Sequence, residues 1–274
     1  YLFLLAKVIK FSKNCGCIYL YLHPLLSIIF MNKTGAYKLT VTIPVLNEED
    51  NIPSLVKRLD SLTSIVNNFP VCFLFIDDGS KDGSLNLIKD ICSKKENYFF
   101  LKFKKNYGLS AALKAGFDYA ESEFTGYIDA DLQVAPEDFS LLIPFISDYE
   151  MVMGIRQHRK DTVVKAISSK IANGFRRMMT GDGIEDTGCP LKIIRSSYAK
   201  RIPMFNGMHR FLPALLLLQN GKIKQVPVEH HPRVAGVSKF HLFNRLVGPF
   251  LDTFAYRWMK KRYINYSVSD NNLG

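Results

Sequence analysis

From Leu39 onward the chain alternates between short apolar runs and longer stretches whose apolar residues recur every three or four positions. Leu39–Val45 is an apolar, partly β-branched run that predicts a strand, and Glu49–Val66 follows with helical spacing. The same alternation continues through Val71–Ile76 (strand), Ser84–Cys92 (helix), Tyr98–Phe103 (strand), Ser110–Ala120 (helix) and Phe124–Ile128 (strand). Strands apolar on both faces, separated by helices, predict an α/β fold with a mostly parallel sheet covered on two sides. Beyond residue 150 the rhythm changes. Met151–Ile155 predicts a strand, and Val163, Ile167, Ile171 and Phe175 form one apolar helical stripe beside Lys165, Lys170, Arg176 and Arg177. Phe211–Leu218 predicts a helix and Lys222–Val228 a strand. The last predicted helix, His241–Arg262, lines Leu242, Leu246, Phe250 and Phe254 along one side, and Pro249 is expected to bend it.

Residues 1–30 contain no acidic residue, and the apolar run Cys15–Phe30 is shorter than the roughly 20 residues of a spanning helix. They read as a non-native or anchor-like extension, with the native start expected at Met31 and a membrane anchor as the rival reading. One domain is expected over residues 31–262, followed by a tail at 263–274. Lys and Arg outnumber Asp and Glu by 36 to 25, a net charge of +11, which favours an anionic partner. Five cysteines form no zinc-type doublets and point to a reduced setting.

Ligands of parallel sheets sit beyond the carboxyl ends of strands. Three polar clusters fall there: Asn47-Glu48-Glu49-Asp50, Asp77-Asp78-Gly79-Ser80 and Asp129-Ala130-Asp131. Asp129 and Asp131 share one face of an extended backbone, about 7 Å apart at Cα. Two such carboxylates suit a hard divalent ion that also takes phosphate oxygens. Each cluster has a plainer explanation as a turn or as acids near a helix N-terminus; their shared place at strand ends argues for a site.

The segments IPVLNEEDNI, FIDDGSKDGS, KNYGLSAALKAG and YIDADLQVAPED, in this order, resemble the nucleotide-binding half of family 2 glycosyltransferases, which have the GT-A fold. The resemblance covers about residues 39–140. It implies that Pro44, Glu48, Asp77 and Asp78 hold the nucleoside. It also implies that Asp129, Asp131 and Gln133 hold Mg²⁺ or Mn²⁺ on the diphosphate of a nucleotide-sugar donor.

Residues 141–262 form the predicted acceptor half. The segments MGIRQHRKD, VVKAISSKIANGFRRMMTG, IEDTGCPLKIIRSSYAKRI and HHPRVAGVSKF resemble the polyprenyl-phosphate branch of that family. This implies a polyprenyl-phosphate lipid acceptor whose phosphate meets Arg156, Lys165, Ser169, Arg233 and Lys239. Leu46 stands where an aromatic is common beside the base, and Lys165 where arginine is common, so the base stays open and the acceptor site loses a bidentate fork. The expected reaction is metal-dependent inverting transfer at the cytoplasmic face of a membrane, with peripheral attachment. A competing reading has a sugar hydroxyl as acceptor and Glu185 or Asp186 as base. Nucleic-acid binding is disfavoured, because the cations are dispersed and the acidic clusters would repel phosphate. His209, His230 and His231 read as core or surface hydrogen-bonding groups, and Cys189 as structural.

Overall fold

A computed structural model describes residues 33–157, 174–232, 242–266 and 269–270. The extension at 1–30, the start of the basic stripe with Lys165 and Ser169, and Arg233 with Lys239 lie outside the described residues.

Seven strands form one sheet in the order β3-β2-β1-β4-β6-β5-β7. They are β1 (Leu39–Val45), β2 (Val71–Asp77), β3 (Tyr98–Lys102), β4 (Phe124–Tyr127), β5 (Met151–Gln157), β6 (Lys192–Arg195) and β7 (Ile223–Glu229). The helices α1 (Ile52–Ile65), α2 (Ser84–Lys94) and α3 (Leu109–Tyr119) connect the first four strands, all parallel. A short α4 (Phe139–Leu142) precedes β5, and α5 (Ser196–Lys200), α6 (Leu212–Leu218) and α7 (Leu242–Lys260) follow β6 and β7. β6 pairs antiparallel with both β4 and β5, whereas β7 is parallel to β5. The sheet is therefore mixed, with β6 the reversed strand, an element that the sequence pattern did not predict.

The strand predictions fall within two residues of the observed limits, but α1 begins one turn later than predicted. Residues 48–51 are spent on a turn, with Asn51 and Ile52 both donating to the Glu48 carbonyl. Pro53 then sits in the first helical turn, where its missing N–H costs nothing.

Every residue of β2 is buried. Along β1, Leu39, Val41 and Ile43 pack with Leu55, Leu59, Phe73 and Phe139 into one core. Thr42 faces the other way, toward α3, where a Cβ on Gly116 would collide with its side chain. That second face holds a core of Leu113, Phe117, Tyr127, Met151, Met153, Leu212, Leu215 and Tyr256. Helix α7 docks there through Tyr256, which stacks on Phe211 at 5.9 Å and donates to the Ala214 carbonyl at 3.3 Å. Its Phe250 and Phe254 are half-exposed and meet the Phe175 ring at 5.0 and 6.5 Å. The helix runs through Pro249.

Candidate active site

β1 pairs with β2 as far as Val45–Asp77, but its pairing with β4 ends at Thr42. Beyond Thr42 the ladder between the two strands ends, at the point where the strand order reverses direction, the usual ligand position in such sheets. The local sequence fits: Pro44 needs no ladder donor where β1 has lost its β4 neighbour. Pro44, Glu48, Asp77, Asp78, Asp129, Asp131 and Arg156 all fall at this edge of the sheet.

On the β2 side, Asp77 is fully buried and accepts the Ser80 amide at 3.3 Å on Oδ1, while Oδ2 is buried without a partner. Such an orphaned acceptor calls for a donor. Asp78 is occupied instead. Its two oxygens accept the amides of Tyr107 and Gly108 at 2.7 and 2.9 Å, tying the end of β2 to the loop before α3. Gly79, at φ +78°, lets that loop close: a Cβ there would lie 2.7 Å from the Lys105 carbonyl carbon and 2.8 Å from the Asn106 nitrogen. Glu48 accepts the Asn51 side-chain amide at 2.7 Å, and its own amide donates to Ser84 at 2.9 Å.

On the β4 side, Asp131 is buried and accepts the Gln133 amide on Oδ1 at 3.1 Å. Tyr127 donates its hydroxyl to Asp129 Oδ1 at 2.7 Å. Burial first, and the nearby charge of Asp131 second, push the Asp129 carboxyl up to about 6. The Gln133 carbonyl accepts the His231 amide at 2.9 Å, so the end of β7 adjoins this turn. Arg58 forks onto Glu137 at 3.0 and 3.2 Å and fastens α1 just beyond it.

Cations face these acids from β5 and β6. Arg156 donates from Nε and Nη2 to the two oxygens of Asp186, both at 2.8 Å. Lys192 is missed by sequence reasoning. Because β6 runs backward, its first residue lies at the carboxyl edge of its neighbours, where Lys192 is 1% exposed. Its ammonium donates to the carbonyls of Cys189 and Thr187 and lies 5.6 Å from the centre of the Tyr127 ring. Burial lowers its pKa, while the charges of Asp186 and Asp129 act in the opposite sense. A basic residue within an otherwise apolar run was the available signal.

Buried Asp131 and partly exposed Asp129 repel one another and form a hard oxygen donor set suited to Mg²⁺ or Mn²⁺. Among the described residues no group of three or more His, Cys, Asp or Glu side chains could hold a metal. The aspartates fit an ion that takes the rest of its shell from phosphate and water. The Gln133 contacts to this turn are made by its backbone.

The profile of Glycosyl transferase family 2 matches residues 40–202, which span every one of these carboxylates. The chain belongs to that family. It is 31% identical to a dodecaprenyl-phosphate galacturonate synthase of Rhizobium johnstonii, over 74% of this chain and 62% of the relative. It is 30% identical to an undecaprenyl-phosphate 4-deoxy-4-formamido-L-arabinose transferase of Klebsiella pneumoniae, over 78% of this chain and 66% of that one. The family 2 chain thus spans just under two thirds of the length of these relatives. Its fold is similar to glucosyl-3-phosphoglycerate synthase of Mycobacterium tuberculosis in complex with Mn²⁺, UDP-glucose and phosphoglyceric acid. There the TM-score is 0.60 at 14% identity, covering 88% and 86% of the two chains. A mannosyltransferase of Pyrobaculum calidifontis in complex with GDP-Man and Mn²⁺ gives 0.59 at 13%, covering 85% and 66%. The fold is of the GT-A type.

Proposed function

We propose that this family 2 chain transfers a sugar from a nucleotide-sugar to a polyprenyl phosphate, with inversion, using Mg²⁺ or Mn²⁺ held by Asp129 and Asp131. The observation that carries the reading is the acidic pair at the carboxyl end of β4 with Arg156 and Lys192 near enough for both charges to pull the Asp129 carboxyl down. The two polyprenyl-phosphate relatives support the acceptor class. The metal would neutralise charge developing on the departing diphosphate. Asp77, with its unpartnered oxygen, is placed to accept from the nucleoside. Pro44, Glu48 and Asp78 shape that side, Asp78 by holding the 107–108 amides.

An acceptor phosphate is largely a dianion near pH 7 and needs no protein base. Its oxygen attacks the anomeric carbon; the bond from that carbon to the diphosphate oxygen breaks, and the electron pair leaves with the nucleoside diphosphate. Two unit charges of like sign at 4 Å repel by about 4 kcal/mol at an effective dielectric of 20. Arg156 is positioned to offset this, and Lys165, Ser169, Arg233 and Lys239 complete the proposed phosphate site. Arg233 lies two residues beyond His231, whose amide is bonded beside the acidic turn. The hydroxyl-acceptor alternative keeps Glu185 but loses Asp186 as its base, because Asp186 commits both oxygens to Arg156.

Attachment is proposed at the cytoplasmic face of a membrane. No helix among the described residues is long and apolar enough to cross one. The exposed face of α7 instead presents Phe250, Leu251, Phe254 and Trp258, with Phe175 stacked on Phe250 at 5.0 Å and Arg262 over Trp258 at 4.8 Å. Aromatic residues beside cations suit an anionic lipid surface.

The test is incubation of the full chain and Mn²⁺ with labelled nucleotide-sugars and polyprenyl phosphates. A product that partitions into organic solvent and is labile to mild acid is expected. Label recovered only as free sugar, or on a glycan, would refute the proposal.

A further inference from the structure

One imidazole close to Lys192 has no role in the reading above. His209 lies in the 3₁₀ turn Met208–Phe211, and its Nδ1 is 2.7 Å from the hydroxyl of Ser110 in the first turn of α3. The same hydroxyl oxygen accepts the amide of Gly207 at 3.0 Å. Ser110 is 4% exposed. The hydroxyl oxygen has two lone pairs and one proton, and among the described residues Nδ1 is the one acceptor within reach of that proton. With the hydroxyl donating to Nδ1, the neutral ring carries its own proton on Nε2. Among the described residues nothing bonds to Nε2, and the ring keeps partial exposure.

The surroundings say what this N–H is for. Burial pushes the His209 pKa down to about 3, and the charges of Arg210 and Lys192 push in the same direction. The ring therefore stays neutral at physiological pH. Both charges acting on it are cationic, and Lys192 leads directly to Tyr127 and Asp129. A neutral donor set among cations favours an anionic acceptor and adds a directed bond without a third charge.

We propose that the Nε2–H of His209 is a fixed, neutral hydrogen-bond donor to a phosphate oxygen at the reaction centre, and not a base. The oxygen belongs either to the acceptor headgroup or to the donor's diphosphate. The inference rests on reading the site as one that handles phosphate.

The test uses the full chain labelled with ¹⁵N-histidine and long-range ¹H–¹⁵N spectra, with the Leu variant of His209 assigning the signal. A ring protonated on Nε2 that does not titrate between pH 5.5 and 8 is expected. A proton on Nδ1, or titration near the ordinary histidine value, overturns the proposal. Inorganic phosphate is then added in one arm and Mg²⁺ with inorganic pyrophosphate in the other. A shift of the Nε2–H signal in one arm identifies the source of the oxygen; a response in neither overturns the proposal. His209→Leu is expected to weaken binding of the responding probe about tenfold, and His209→Gln, which keeps an amide donor, less than threefold. Unchanged binding in His209→Leu also overturns it. Should that variant fail to fold, His209→Gln serves for assignment and the wild-type responses decide. Phosphate responses without any glycosyl transfer by the wild type would refute the transferase reading and leave the donor role standing.

Discussion

Asp129→Asn should make the metal-free protein more stable while removing its turnover. The Asp129 carboxyl is raised from 3.8 to about 6, burial being the larger cause and Asp131 the second. An acid whose folded pKa is raised holds its proton more tightly in the folded state. Its stabilising contribution is complete below the unfolded value and is lost as the pH climbs through about 6. A shift of this size amounts to about 3 kcal/mol of strain in the ionised, metal-free site at pH 8. Asparagine escapes that strain, and the weaker bond from Tyr127 to a neutral acceptor is already contained in the net shift. The expected gain is about 3 kcal/mol at pH 8 and close to zero at pH 4. Urea unfolding with chelator at both pH values, wild type against variant, measures it. Adding Mn²⁺ should raise the wild-type midpoint and leave that of the variant in place. A variant less stable than wild type at pH 8 without metal would refute the reasoning, since Asp129 would then be a stabilising group rather than a strained one.

Lys192→Met removes a charge that helps keep Asp129 ionised, so the Asp129 carboxyl should rise further. Mn²⁺ affinity, followed by electron paramagnetic resonance, should fall at pH 6 and recover by pH 8. Arg156→Lys keeps the charge but cannot reproduce the fork onto Asp186. A loss of about 2 kcal/mol, roughly 30-fold in kcat/KM, is expected in the transfer assay. Gly79→Ala must hold a side chain at positive φ against the Lys105 and Asn106 backbone. It should cost about 2 kcal/mol or more in urea unfolding and weaken nucleotide binding measured by calorimetry.

Asp77 and Asp78 show where legibility stops. Their place at the end of a wholly apolar run was readable, because the six apolar residues Val71–Ile76 leave the first polar pair at the strand's exit. Nothing in that pair says which acid is spoken for. The loop at 104–108, far along the chain, takes both oxygens of Asp78 and leaves one of Asp77 unmet. The stripe on α7 was legible in the same limited way. Periodicity reports that a helix has an apolar side, not what lies against it, and Tyr256 is the residue that docks.

The local pattern of the chain was sufficient for the strands and helices of the first half, the acidic pair after β4 and the family, because each depends on residues close in sequence. Tertiary structure alone decided the reversed β6, the burial of Lys192 beneath Tyr127, the pairing of Arg156 with Asp186 and the lock of Ser110 on His209. These partners are brought together by sheet order and by packing between distant segments. A charge's role depends on what surrounds it in space, and the linear order of residues does not carry that information.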